Sequence, residues 1–418
     1  MTNSANCHDQ QPFMGMAALS RMAMSGADLS ALVNAAAHDP NDANMLMGLS
    51  IIFQLTGNRE MGMQLQGKAL GMRQLYHLAP ASGRSEIRLL AILQPGDMLD
   101  NTPLDFLLEG SNVGLDLLYV SQELPFPTVL PEHDAIMVGI AQSDQSQSLL
   151  EKVGELVKSS PCPVLNSPER IARLARDSVS AMLGSVPGME VPRTVRIGRQ
   201  DLQQIRCEES SLSALSGEVA YPVIVRPINS HGGLGLARIA GDDDLGDYLD
   251  ANPDQEFHVA PFVDYRSADG LYRKCRIALI GGQPFACHLA ISEDWMIHYR
   301  NAGMSESETK RAEEERFMQD FDDDFGARYR QAFKAMDEIL GLDYLVVDCA
   351  ETQDGRLLVF EADNLGFVHA LDPVDVFPYK QTQMRKVFGA FQSMLKNKVS
   401  GLKSGNDASP PDETSSAL

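Results

Sequence analysis

Tyr344-Leu-Val-Val-Asp348, Gln353-Asp354-Gly355 and Leu357-Leu-Val-Phe360-Glu361-Ala362-Asp363-Asn364 are the segments on which the fold of the chain turns. Two apolar runs flank an Asp-Gly pair, the pattern of a β-hairpin. Antiparallel pairing of the runs sets Asp348 near Glu361 at one end of the hairpin. Glu361 and Asp363 alternate with Ala362 and so share a face. Three carboxylates converging on an otherwise apolar hairpin repel one another unless a cation joins them. Hard oxygen ligands of this kind suit magnesium, with manganese as the alternative. The competing reading turns one acid to solvent and gives another an ion-pair partner, but apolar strands rarely gather such a cluster for stability alone.

Upstream, Tyr221-Pro-Val-Ile-Val-Arg226-Pro-Ile-Asn-Ser230-His-Gly232-Gly233-Leu-Gly235-Leu236 reads as a strand that delivers a fixed positive charge, followed by a glycine loop. Glycines let backbone N–H groups approach an anion closely, a combination that suits a polyphosphate. Glycine-rich hairpins are also common as plain turns. Arg273-Lys-Cys-Arg276-Ile-Ala-Leu-Ile280 is a second strand with an inward Arg276. It turns at Gly281-Gly282 and returns through Cys287-His288-Leu289. Arg276 either neutralises a phosphoryl group or pairs with Asp264 or Asp269 at the surface. The following stretch, His288 to Met304, holds the single Trp295 with His298, Arg300 and Asn301. That density of polar and aromatic groups suits a substrate-facing loop as well as it suits an ordinary loop whose Trp covers the core.

Between Ile87 and Leu183 the grammar is α/β. Apolar runs at 88–93, 115–120 and 135–140 read as buried strands, Ser148 to Val157 as a helix and 163–166 as a strand end. Pro168 to Leu183 reads as one helix. Strands alternating with helices predict a parallel, doubly wound sheet, and no GxGxxG follows its first strand. The first ~25 residues read as a loose lead-in. Asp28 opens a helical pattern with Leu29, Leu32, Val33 and Ala36 on one face; His38-Asp39-Pro40-Asn41-Asp42 breaks it and caps a second helix ended by Gly57, and a third is expected from Arg59 to Leu78. Ala81 to Ser85 reads as a linker, and the tail after Ser400 as disordered.

The chain has 418 residues, 44% hydrophobic and 22% charged, with a formal net charge of −22. That charge argues against nucleic acid as a partner, because a phosphate backbone selects basic surfaces. No apolar run approaches the ~20 residues that span a bilayer. Met1 to Gln11 lacks a positive region followed by an apolar stretch, so no signal peptide is expected and a cytoplasmic location is. Six scattered cysteines form no CxxC pair; those at 275, 287 and 349 read as buried thiols.

Taken in this order, the glycine loop, the Arg276 strand and the acidic hairpin resemble the ATP-grasp superfamily over roughly Ile87 to Phe391. The resemblance implies an α/β and α+β fold: a helical, tetratricopeptide-like segment at 1–84, a parallel-sheet pre-ATP-grasp domain at 85–190, a first ATP-grasp lobe at 191–260, a second lobe at 261–399 and a disordered tail at 400–418. It implies ATP with two magnesium ions on Asp348, Glu361 and Asp363, the phosphates under Ser230, Gly232, Gly233 and Gly235, and Arg226 against the phosphates. It further implies that Arg276 stabilises an acyl phosphate and that backbone groups of Val259 and Ala260 read the adenine. The substrate loop supplies His288, His298, Arg300 and Asn301 as candidates. Arg226 stands where lysine is usual, Asp363 where Asn is usual, and Ser178 follows Asp177 where the family carries an earlier lysine. The implied reaction joins a carboxylate to an amine with release of ADP and phosphate. The rivals are a kinase on the same lobes and a non-catalytic nucleotide-binding interaction protein. The helical N-terminus suggests a peptide or protein partner, and a homodimer is compatible with the family.

Overall fold

The computed structural model describes residues 12–406, apart from 29, 31, 35–38, 207–211, 214–218, 229 and 231. Helix α1 (Gly15–Met24) occupies the expected lead-in. It is held because Phe13, Ala17 and Leu19 are buried and because the Ala17 N–H donates to Asp105 at 2.7 Å. Of the helical pattern after Asp28, Leu32 and Val33 are helical, while Leu29 and Ala36 lie outside the described residues. Helix α2 (Ala43–Leu55) starts where expected: the Asp42 carboxylate accepts from the N–H groups of Asn44 and Met45. Helix α3 (Arg59–Met72), capped by Asn58, packs on α2, where a Cβ at Gly62 would meet the Ser50 carbonyl at 2.8 Å. The third helix was expected to reach Leu78, but it stops at Met72. Leu75–Leu78 is instead a strand, β1, because its alternating side chains sink Tyr76 into the core while its backbone pairs antiparallel with β3.

Strands β2 (Ile87–Leu93), β3 (Val113–Tyr119), β4 (Ala135–Val138) and β5 (Val164–Leu165) are mutually parallel, in the order β1-β3-β2-β4-β5. Their apolar runs are buried on both faces, as a covered parallel sheet requires. The expected boundary at 84 therefore falls between two strands of one sheet. Helix α4 (Gln147–Val157) covers it. The helix expected over 168–183 is two: Pro168–Ile171 and α5 (Arg176–Leu183), separated by an extended Ala175 at ψ 139°. That break places Arg176 at the first turn of α5.

Strand β6 (Met189–Glu190) leads to a separate unit. Strands β7 (Val195–Gly198), β8 (Val223–Pro227), β9 (Ala237–Ile239) and β10 (Glu256–Pro261) form an antiparallel sheet in the order β7-β10-β8-β9, with α6 (Asp242–Ala251) packed on it. This unit has a core of its own, with Val223, Val225, Leu249, Phe257 and Val259 inside.

The chain then forms β11 (Tyr272–Ile280), β12 (Gln283–Ser292), α7 (Glu308–Gln319), α8 (Arg330–Leu340), β13 (Tyr344–Glu351) and β14 (Leu357–Asp363). The third sheet runs β12-β11-β13-β14-β6, with β6 parallel to β14. The four-stranded unit is thus inserted between two strands of one sheet. The first and third sheets share a continuous core. Asn166 joins them, its side chain exchanging hydrogen bonds with the Tyr344 backbone at 2.8 and 3.0 Å. Helix α9 (Lys380–Asn406) continues past Ser400, where disorder was expected, and 407–418 lie outside the described residues. Cys275, Cys287 and Cys349 are buried free thiols, as their apolar settings predict. Cys7 and Cys207 fall outside the described residues. Among the described residues no helix is long and apolar enough to cross a membrane.

Candidate functional site

Strand register assembles the site. Glu361 on β14 faces Asp348 on β13, Asp348 faces Arg276 on β11, and Arg276 faces His288 on β12. Four neighbouring strands therefore contribute one polar side chain each to a single row across the sheet. A register shift follows both Asp348 and Arg276, locally irregular backbone of the kind that re-aims side chains at functional sites. The row lines the floor of a cleft of about 1260 Å³.

Arg276 is paired neither with Asp264 nor with Asp269, which takes Arg273 instead at 2.7 Å. It grips Asp348 with two hydrogen bonds of 2.8 and 3.1 Å and donates to the Phe367 carbonyl at 3.1 Å. Lys274, two residues earlier on the same face, places its Nζ 2.8 Å from Asp348 Oδ2, which Arg276 also reaches. Burial alone would raise the Asp348 pKa; Arg276 and Lys274 outweigh it and hold the carboxyl well below its usual range. Glu361 pairs with Arg176 from α5. Burial opposes its ionisation too, yet Arg176 and Arg226 hold it down to about 2. Its neighbour Asp363 moves the other way, pushed up by burial and by the Glu361 charge. One Asp363 oxygen accepts from the N–H groups of Leu365 and Gly366 at 2.8 and 3.0 Å.

Among the described residues no group of three acids or other donors is gathered around a metal position. The expected set is divided: Asp348 is already neutralised by two cations, whereas Glu361 and Asp363 have Arg176 as the one ion-pair partner between them among the described residues. The latter pair, two carboxylates on one face of β14, offers the hard oxygen donors a divalent cation takes. Asn364, next in the chain, is fully buried and turned away, donating to the Ile140 carbonyl at 3.0 Å and held through Thr102.

The cleft's upper wall comes from the four-stranded unit. Arg226 curls back to hydrogen-bond the Ser230 carbonyl and hydroxyl, and burial beside Arg176 lowers its pKa to about 10. Ser230, Gly232 and Gly233 line the cleft, the glycines at φ 61° and 76°. Gly235 does not; it packs under Pro227, and its carbonyl accepts from the Tyr248 hydroxyl at 2.7 Å. Val259 is inside the core of the unit, paired with Val195 and Val225 on either side. Ala260, Pro261, Phe262 and Val263 line the cleft, but the Phe262 N–H is taken by the Pro222 carbonyl.

The loop after β12 is also part of the wall. His288, His298 and Arg300 line the cleft; the His298 ring lies against Gly233, where a Cβ would overlap it. Asn301 closes its own turn, accepting from the His298 N–H at 2.8 Å and donating to the Met296 carbonyl at 3.2 Å, and does not line the cleft. Trp295 meets Phe262 edge-on at 5.6 Å, joining this loop to the end of β10. From the helical N-terminus, Ser20 and Met24 of α1 and Leu55 of α2 complete the wall.

Sequence reasoning missed four groups. Arg176 adjoins Asp177, where the resemblance led us to expect a lysine. Lys274 has the same period-two relation to Arg276 that singled out Glu361 and Asp363. His258 faces Arg226 across the β8–β10 pair; burial and Arg176 lower its pKa to about 4, and its Nδ1 is buried without a partner. Lys380 opens α9 and is fully buried against Glu314 and Asp372 at 3.2 and 3.3 Å, an arrangement no local pattern announces.

No protein-family model matches the chain, and no curated protein matches it. Solved structures with similar folds include a RimK domain protein ATP-grasp from Sphaerobacter thermophilus, at 15% identity and TM-score 0.44 over 75% of this chain and 100% of that one. The VanG D-Ala:D-Ser ligase from Enterococcus faecalis is similar at 12% identity and TM-score 0.46, over 74% and 100% of the two chains. A D-alanine–D-alanine ligase from Bacillus anthracis complexed with ATP gives 12% identity and TM-score 0.46, over 77% and 99%.

Proposed function

We propose that the chain is an ATP-grasp ligase that binds ATP in this cleft, transfers its γ-phosphoryl group to a carboxylate and joins the resulting acyl group to an amine. The observation that carries this reading is the charge on the cleft walls. Around the acidic hairpin Arg176, Arg226, Lys274 and Arg276 converge on Asp348, Glu361 and Asp363, four cations to three carboxylates. Four cations beneath a glycine loop at positive φ suit a polyphosphate.

In this reading Arg226 and the Ser230–Gly233 backbone hold the phosphates, and Arg176 leaves Glu361 for a phosphate oxygen as the nucleotide enters. Glu361 and Asp363 are the carboxylates that would hold magnesium, which supplies charge neutralisation between phosphate oxygens. Arg276, held flat by Asp348 and the Phe367 carbonyl, presents its remaining N–H edge to the carboxylate as charge builds on the transferring phosphoryl group. The separate core of the four-stranded unit lets it close as one body and keep water from the acyl phosphate. The N-terminal helices wall the same cleft, which supports a role in enclosing substrate rather than docking a separate peptide.

The test is calorimetry of ATP binding with and without magnesium on wild type and Glu361→Ala, followed by product analysis. Magnesium-dependent binding abolished by the substitution, with ADP and free phosphate as products, is expected. AMP and pyrophosphate as sole nucleotide products would reject the reaction. Phosphate retained on product would establish a kinase instead.

A further inference from the structure

We propose, resting on the ligase reading, that His288 is the catalytic residue that takes the proton from the attacking amine. His288 ends the polar row Glu361–Asp348–Arg276–His288, beyond Arg276 and on the side away from Glu361. A nucleophile that enters on that side of a carbonyl held at Arg276 meets the ring. The ring lines the cleft, and among the described residues neither of its nitrogens has a hydrogen-bond partner. It is nonetheless firmly placed. Tyr299 packs on it with ring centroids 4.7 Å apart. Tyr299 is fixed in turn, its hydroxyl donating to Glu314 at 2.8 Å and accepting from Lys380 at 2.5 Å. Glu314 is fully buried and also accepts from the Tyr379 hydroxyl at 2.6 Å and the Leu289 N–H at 3.1 Å. Five groups from β12, α7, the loop after β12 and the start of α9 thus converge to hold one unpartnered imidazole beside the reacting position.

The groups that face it are Arg276, Lys274 and Asp348 from the sheet, Lys380 from α9 and Tyr299 from the loop. Burial first, then Arg276 and Lys380, hold the ring in its neutral form, able to accept a proton. An acyl phosphate at Arg276 cancels the nearest of those positive charges, so proton affinity rises when the reactive group is in place. In the step itself, a His288 nitrogen takes one proton from the substrate ammonium, the freed amine nitrogen bonds to the acyl carbon, and the carbon–oxygen bond to phosphate breaks. Inorganic phosphate leaves with the bonding pair and takes the second N–H proton, and the imidazolium returns its own proton to solvent.

The test separates formation of the acyl phosphate from its use. Each protein amino acid and a set of dicarboxylates is offered with ATP and magnesium as the carboxylate. The nucleophile is either hydroxylamine, which is uncharged at neutral pH, or an amino acid, whose ammonium must lose a proton. His288→Gln, with His288→Asn as a second variant, should bind ATP as wild type does and form hydroxamate at a rate within about twofold. Amide formation should fall about 100-fold or more, in line with loss of a general base. Equal losses with both nucleophiles, or none with either, would overturn the role of His288 while leaving the ligase reading intact. A wild type that forms hydroxamate but no amide also overturns it, because the acceptor is then not an amine. A wild type that forms neither product overturns the ligase reading and this inference together.

Discussion

Arg176 reaches Glu361 across 185 positions of sequence, and the pair lies at the join between the α/β part of the molecule and the third sheet. Removing it leaves a buried carboxylate with one cation fewer. Arg176→Ala should weaken ATP binding by roughly 10- to 100-fold, as loss of a partly buried charged contact does, and calorimetry would show it; Arg176→Lys should recover part of the loss. Asp105 offers a test by pH. Burial raises its pKa to about 6, with the Ala17 N–H pulling the other way. A carboxyl whose folded pKa exceeds its unfolded value of about 3.9 favours folding fully below that value, and the benefit is lost as pH rises through the folded pKa. Wild type should therefore lose on the order of 1–2 kcal/mol between pH 4 and 6 relative to Asp105→Asn, read from denaturant midpoints at each pH. At this scale the sequence revealed what strand period controls. Asp348, Glu361 and Arg276 were legible because an Asp-Gly turn and two-residue alternation fix which side chains share a face. Arg176 and His258 were not, because their places depend on how separate elements pack. Lys274 was within reach of the same alternation and went unread.

Among elements, the glycine loop gives the sharpest contrast. Gly232 and Gly233 both have positive φ, but nothing lies within 4 Å of a Cβ at Gly232, whereas one at Gly233 strikes His298. Gly232→Ala should cost only the left-handed strain, about 1 kcal/mol. Gly233→Ala must also move the His298 loop and should lower ATP affinity further at similar thermal stability, which paired melting and calorimetry would separate. The helix ends tell a parallel story of legibility. The start at Asp42 was readable because capping is local chemistry. The end of α3 was not, since residues 75–78 suit a helix in isolation and become a strand only because β3 offers an open edge. The extended Ala175 between two short helices was likewise invisible, yet it is what turns Arg176 into the cleft.

For the whole molecule, a net charge of −22 coexists with a local cluster of four cations, Arg176, Arg226, Lys274 and Arg276, in the cleft. Helix α1 belongs to that site through Ser20 and Met24, and it is anchored by Asp105 and, by Arg21, by Glu109 at 2.6 Å. Removing residues 1–24 should therefore raise KM for the carboxylate or amine more than for ATP, and steady-state kinetics with each substrate varied would show which. The four-stranded unit leaves the third sheet at β6 and re-enters it at β11. Those strands run the same way, three strand spacings or about 14 Å apart. Since the unit keeps its apolar residues to itself, it is a cassette: residues 195–261 can be cut out and the ends rejoined by a short linker without opening the main core. Grafting a homologous cassette with altered nucleotide contacts would then exchange the fuel of the reaction while the chemistry at Arg276 stays in place.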